Sequence, residues 1–185
     1  MPATSQLRVL YLAYLSKPVT NRPIYRSIRQ RRIRKIVELG VGLGQRAVRM
    51  IEVAASCSPV REIHYTGVDL FEARAASDGP GMTLKTAHRL LKTTGARIQL
   101  LPGDPFTALS RAANGLRGTE LLVISEGHDP RSLSRAWFYL PRMLDKGAQV
   151  WLEQAESPEG SLAVRVLGGD QIAKLAAAAT YRPAA

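Results

Sequence analysis

Ile36-Val37-Glu38-Leu39-Gly40-Val41-Gly42-Leu43-Gly44 is the stretch on which the fold turns. A short strand-like run meets three alternating glycines, and sequence of helical period follows. Ala47, Val48, Ile51, Ala54 and Ala55 fall on one side of that helix, and Gln45, Arg46, Arg49 and Glu52 on the other. The reading is strand, tight turn, helix. Glycines allow positive φ and let the backbone approach a ligand with no Cβ in the way. In open α/β sheets the crevice at the carboxyl ends of the strands is where ligands bind.

Outward from this unit the pattern repeats. Ile63 to Leu70 reads as a second strand, Arg97 to Leu101 as the third, Glu120 to Ser125 as the fourth and Ala148 to Glu153 as the fifth. Their starts lie roughly 24–34 residues apart, the length of a strand-helix-strand unit. Leu84, Ala87, Leu90, Leu91 and Thr94 form the apolar stripe of one intervening helix. Leu133, Ala136, Trp137, Leu140 and Leu144 form another, opened by Asp129 as N-cap with Pro130 behind it and broken near its end by Pro141. Asp145-Lys146-Gly147 then turns the chain into the fifth strand. Leu7 to Ser16 and Asn21 to about Arg34 read as helices before the first strand, the second capped by Asn21. Leu162 to Leu167 reads as a sixth strand and Asp170 to Ala179 as a last helix, with the alanine-rich end, Ala176 to Ala185, expected to fray. Apolar runs alternating with helices imply a parallel sheet covered on both faces.

The chain has 185 residues, 45% of them hydrophobic, so one domain can bury an adequate core without staples. Its one cysteine, Cys57, excludes a disulfide framework and a cysteine-based zinc site. No His/Cys/Asp/Glu spacing suggests a metal. The longest apolar run near the start, Val9 to Leu15, is too short to span a membrane and precedes no signal-peptidase-like site. We therefore expect a cytoplasmic protein with no membrane partner. The net charge of +11 favours anionic partners.

The second strand ends in Asp69, an acid able to accept hydrogen bonds from ribose hydroxyls. Gly42-Leu43-Gly44-Gln45-Arg46-Ala47 also fits the dinucleotide pattern Gly-x-Gly-x-x-Ala. Glu38, two residues before the first glycine, and Gly103-Asp104 after the third strand have no place in that pattern. Val37-Glu38-Leu39-Gly40-Val41-Gly42-Leu43-Gly44 instead resembles the first motif of class I, Rossmann-like S-adenosylmethionine (SAM)-dependent methyltransferases. Tyr65 to Leu70 and Leu101 to Asp104 resemble their second- and third-strand motifs, and Leu140 to Leu152 the approach to their fifth strand.

The resemblance covers Ile36 to Glu153. It implies a doubly wound, mostly parallel α/β sheet of order 3-2-1-4-5, with one or two short C-terminal strands and with N-terminal helices. The organisation expected is a single domain over 1–185: a helical segment 1–34, a core 35–153, and a C-terminal strand, helix and tail 154–185. It also implies SAM as cofactor. Gly40, Gly42 and Gly44 would line its methionine and ribose, Glu38 would help place the ammonium, and Asp69 would hold the ribose. Leu70 would lie on the adenine and Asp104 would meet its amino group.

Each of these has a plainer reading beside it. Asp104 with Pro105 is a helix cap, Glu38 can bond the loop backbone, and Leu70 can be ordinary packing. The Asn/Asp-Pro-Pro-aromatic motif that many amino-group methylating enzymes carry after the fourth strand is absent, which argues against that subtype: Ser125-Glu126-Gly127-His128 stands there. Glu126 and His128 are the candidate catalytic residues, His128 as a general base, against a solvated loop. Cys57 is badly placed for thiol-dependent chemistry.

Arg22, Arg26, Arg29, Arg31, Arg32, Arg34 and Lys35 form either a phosphate-binding face or a solvated one, with Ile24, Ile28 and Ile33 turned inward. The acceptor is accordingly a small molecule, or nucleic acid held by Arg22 to Lys35. The functions standing against a methyltransferase are a noncatalytic nucleic-acid-binding module and a small NAD-dependent oxidoreductase.

Overall fold

The computed structural model describes residues 6–75, 78–155 and 162–179. Two helices, α1 (Gln6–Tyr14) and α2 (Arg22–Arg31), precede β1 (Lys35–Leu39). Then follow α3 (Gln45–Ala55), β2 (His64–Asp69), α4 (Leu84–Lys92), β3 (Arg97–Pro102), α5 (Pro105–Ala112) and β4 (Thr119–Ile124). The chain continues through α6 (Pro130–Ala136), α7 (Leu140–Met143), β5 (Leu144–Ala155), β6 (Leu162–Leu167) and α8 (Gly169–Ala178). The sheet runs β3-β2-β1-β4-β5-β6. Its first five strands are parallel, and β6 pairs antiparallel with β5, Val150 opposite Leu167. Strand order reverses between β1 and β4, so the loops after these two strands diverge and leave a crevice.

Alternation along the strands builds two cores. Ile36, Leu121 and Val123 face one side and pack with Val9, Leu12, Ile24, Ile28, Met50 and Ile51 from α1, α2 and α3. Val37, Leu39, Leu122 and Ile124 face the other and pack with Leu109, Trp137, Leu140, Met143 and Ile172. The N-terminal helices thus share a core with α3. Ile24, Ile28 and Ile33 are turned inward, as their spacing requires.

Four local readings need correction. Asp145-Lys146-Gly147 is not a turn before the fifth strand: β5 already begins at Leu144, and its register on β4 jumps from Thr119↔Leu144 to Leu121↔Gln149. The three residues are absorbed as a bulge. The helix around Leu133 to Leu144 is broken by Pro141 as expected, but the break falls earlier, over a 3₁₀ turn at Trp137–Tyr139, with Pro141 in the first turn of α7, because proline has no N–H for the preceding turn. The helix expected to reach about Arg34 stops at Arg31, where Arg32 turns left-handed (φ 53°) and Ile33 N donates to Ile28 O. Asn21 precedes α2 with helical dihedrals (φ −81°, ψ −19°) and makes no side-chain cap. Thr83, Asp104 and Asp129 do cap α4, α5 and α6.

Leu122 lies fully buried in the central strand β4. Leu122→Ala is expected to cost about 2–5 kcal/mol of stability, read by urea denaturation, without changing the far-UV circular dichroism of the remaining fold.

Candidate functional site

The crevice is built on the end of β1. Gly40, at φ +90°, passes beneath the loop after β4 so closely that a Cβ would stand 2.7 Å from Ser125 Cβ and 3.2 Å from His128 Nε2. Gly42, at φ +56°, faces open space, with Pro80 O at 3.9 Å from the position a Cβ would take. The first glycine therefore allows two loops to touch, and the second leaves room above the backbone. The cavity over this loop measures about 680 Å³. Its walls include Pro18, Gly42, Asp69, Leu70, Asp104 and Glu126.

Asp69 closes the crevice floor. Its carboxylate accepts from Gly42 N (2.8 Å), Phe71 N (3.2 Å) and Arg74 Nη2 (2.5 Å). Burial works against its charge, but these three donors prevail and hold its pKa below the ordinary value. Asp104 caps α5 through Oδ1, which accepts from Phe106 N (3.0 Å), Thr107 N (3.1 Å) and the Ser132 hydroxyl. The same side chain lines the cavity, so cap and wall are one residue. Leu70 also lines it.

Glu38 sits beneath the floor. It is fully buried and is absent from the cavity wall. Its Oε1 accepts from Arg46 Nε at 2.6 Å and its Oε2 from the Tyr65 hydroxyl, so its partners are side chains rather than the loop backbone. Arg46, read from the helical period as solvent-facing, turns inward. It bonds Glu153 at 2.5 Å, reaches the Ser125 hydroxyl, and lines the crevice. Burial opposes the Arg46 charge, yet the two carboxylates overcome it and raise its pKa. Burial also raises Glu38, against the pull of Arg46 and Tyr65. The local sequence shows only a cation in the first turn of a helix, where the helix dipole disfavours it; the carboxylates that hold it come from β1 and β5.

Of the two catalytic candidates, Glu126 is an exposed residue on the rim. His128 is half-buried against the glycine loop, and its Nε2 is buried with no hydrogen-bond partner. Burial lowers its pKa below 6.5, against a hydrogen bond to the Leu39 backbone and the charge of Asp69. Asn21 is a second residue that periodicity missed: it is buried, its Oδ1 has no partner, and it lines the crevice. Among the described residues no cluster of three or more His, Cys, Asp and Glu is placed to hold a metal.

The cations of the α2 segment are spread over several surfaces. Arg22 bonds Ser16 O (2.7 Å), Arg31 bonds Gly147 O (2.9 Å), and Arg34 pairs with Glu62 (3.1 Å). Arg26 stacks on Tyr14, its guanidinium 5.8 Å from the ring centre.

Arg46→Gln is expected to destabilise the protein by about 3–5 kcal/mol at pH 8, because it leaves Glu38 charged, buried and unpaired. A carboxyl raised above its unfolded value binds a proton more tightly when folded, so stability falls as pH rises through that window. The loss measured by denaturation should therefore be smaller at pH 5 than at pH 8.

No protein-family model matches the chain, and no curated protein matches it in sequence. Solved structures match it in shape. The O-methyltransferase TomG of Streptomyces achromogenes, from tomaymycin synthesis and in complex with SAM, superposes with a TM-score of 0.57 at 12% identity, over 84% of this chain and 68% of that one. The calicheamicin methyltransferase gives 0.56 at 15% identity, over 85% and 68%. An O-methyltransferase from Bacillus cereus in complex with S-adenosylhomocysteine gives 0.55 at 13% identity, over 77% and 59%. The chain has the fold of the class I SAM-dependent methyltransferases.

Proposed function

We propose that the protein is a SAM-dependent O-methyltransferase acting on a small hydroxylated acceptor. The observation that carries the reading is His128: an imidazole lining the crevice, its Nε2 unpartnered and held against the glycine loop. The crevice also suits a cationic ligand. Asp69, Asp78, Asp104, Glu126 and Asp129 outnumber Arg46 and Arg74 along its wall, although the protein as a whole carries +11. SAM, when bound, supplies an electrophilic methyl group on a sulfonium.

The glycines Gly40, Gly42 and Gly44 form the cradle, and Asp69 offers its carboxylate to the ribose once Arg74 yields. Leu70 packs on the adenine and Asp104 receives its amino group. With both oxygens of Glu38 engaged, the orphaned Asn21 Oδ1 is an acceptor offered to the ammonium. Arg46, bonded to Glu38, Glu153 and Ser125, supports the floor beneath the ligand. His128 takes the hydroxyl proton as the acceptor oxygen becomes a nucleophile. Alignment of the acceptor supplies much of the remaining rate.

Calorimetry with SAM, S-adenosylhomocysteine and NAD at equal concentration tests the cofactor. The sulfur nucleosides should bind, and Asp69→Ala should weaken them roughly tenfold or more. NAD binding with no response to either sulfur nucleoside overturns the assignment in favour of an oxidoreductase.

The base is tested separately, by formation of S-adenosylhomocysteine over a panel of small phenols and sugar alcohols. His128→Gln should lower kcat about 10²–10⁴-fold with cofactor affinity unchanged. In the parent, the acid limb of the pH profile should fall below the ordinary histidine value of 6.5, since burial keeps His128 neutral. An acid limb above that value, or unchanged turnover in the variant, removes His128 from the chemistry.

A further inference from the structure

Helix α1 is apolar on both sides. Val9, Leu12 and Ala13 are buried in the first core. On the outer side Leu7 (79% exposed), Leu10 (39%), Tyr11 (46%) and Tyr14 (49%) stand in water, and Leu15 (66%) and Val19 (59%) continue the face beyond the helix. Helical spacing puts Leu7, Leu10, Tyr11 and Tyr14 on one side of α1, Leu15 and Val19 follow in the exposed turn after it, and an exposed apolar surface of this kind marks an interaction site.

Cations border the patch. The Arg8 guanidinium lies 5.8 Å from the ring centre of Tyr11, and that of Arg26 5.8 Å from the ring centre of Tyr14. Lys17 sits exposed between Leu15 and Val19. Arg29 shares a surface hollow with Tyr14 and Arg26. No acid occurs in the sequence before Glu38, so neither α1 nor α2 carries a negative charge. The acid brought to this region is Glu52, which pairs with Arg8 at 3.1 Å.

We propose that the face formed by α1 and the Leu15–Val19 turn docks on an anionic lipid surface. The charge pattern selects that partner. Leucine side chains enter an acyl phase, tyrosines suit the headgroup boundary, and lysine and arginine reach anionic headgroups. A nucleic acid satisfies the cations and leaves the leucines in water. A second copy of the chain brings the same cations face to face, with Glu52 the acid beside them and already paired to Arg8.

No described helix is long and apolar enough to cross a membrane, and an interfacial helix needs no such length. The expectation of no membrane partner rested on spanning length and on the lack of a signal-peptidase-like site, neither of which bears on an interfacial helix. The docked face also adjoins the crevice, because Pro18 and Asn21, on either side of Val19, line its wall.

The experiment is cosedimentation of the full chain with vesicles of phosphatidylglycerol and phosphatidylcholine, or of phosphatidylcholine alone. Sedimentation equilibrium and titration with a single-stranded oligonucleotide run beside it. The chain should bind the anionic vesicles in preference to the neutral ones. Lys17→Gln and Arg26→Gln should each weaken binding about fivefold. The double variant Leu15→Asp, Val19→Asp should weaken it roughly tenfold or more, with circular dichroism and Tm unchanged, since both side chains are exposed. If that pair lowers Tm, Leu7→Ser at the start of α1 gives the same reading.

No binding to anionic vesicles overturns the proposal. So does binding that the apolar variants leave intact, which would be charge attraction alone. A dimer dissociated by Leu15→Asp assigns the face to a second copy. An oligonucleotide that outcompetes the vesicles assigns the cations to nucleic acid.

Discussion

Beneath the glycine loop, one arginine holds two carboxylates away from water. Arg46 bonds Glu38 at 2.6 Å and Glu153 at 2.5 Å, and Tyr65 donates to the far oxygen of Glu38. These four side chains come from the first turn of α3, from β1, from β5 and from β2. The group therefore fixes the start of the helix against three strands of the sheet. Charge in such a place is stabilised only while every partner is present, since desolvation penalises each ion separately. The raised pKa of Glu38 records that cost. Because Arg46 also reaches Ser125, the floor of the crevice and the loop after β4 share one support.

The order of elements was legible from the sequence because its signals are local. Apolar runs, helical stripes, and the caps at Asp104 and Asp129 all depend on neighbours a few residues away. The glycine loop was legible for the same reason: its backbone requirement is written into the residue type. The turn inward of Arg46 was not, since its second carboxylate lies 107 residues further along the chain. Asn21 was misread for a related reason. Its position before a proline fits a helix cap, and only tertiary packing shows a buried oxygen facing the crevice instead. The early start of β5 depends on a bulge against β4, which pairing defines and composition does not.

The charge of the molecule is divided by region. Cations gather in the segment before β1, whereas the crevice wall is richer in acids. A uniform excess would draw anions everywhere. This arrangement offers an acid-rich pocket to a positively charged ligand while the surface beside it presents the opposite sign. Arg74 belongs to the pocket side of that division. Paired with Asp69 and held by the Asp78 carbonyl at 2.5 Å, it occupies one oxygen of the carboxylate on the crevice floor.

The approach of Gly40 to Ser125 and His128 constrains how the sequence can diverge. Any Cβ at position 40 meets the Cβ of residue 125 at 2.7 Å, and the φ of +90° disfavours every other L residue there in any case. Position 40 is therefore closed to gradual substitution, and change at 125 cannot reopen it. Drift in what the crevice accepts must enter from its outer wall, through residues such as Pro18, Asn21 and Glu126, while the contact between the two loops stays frozen.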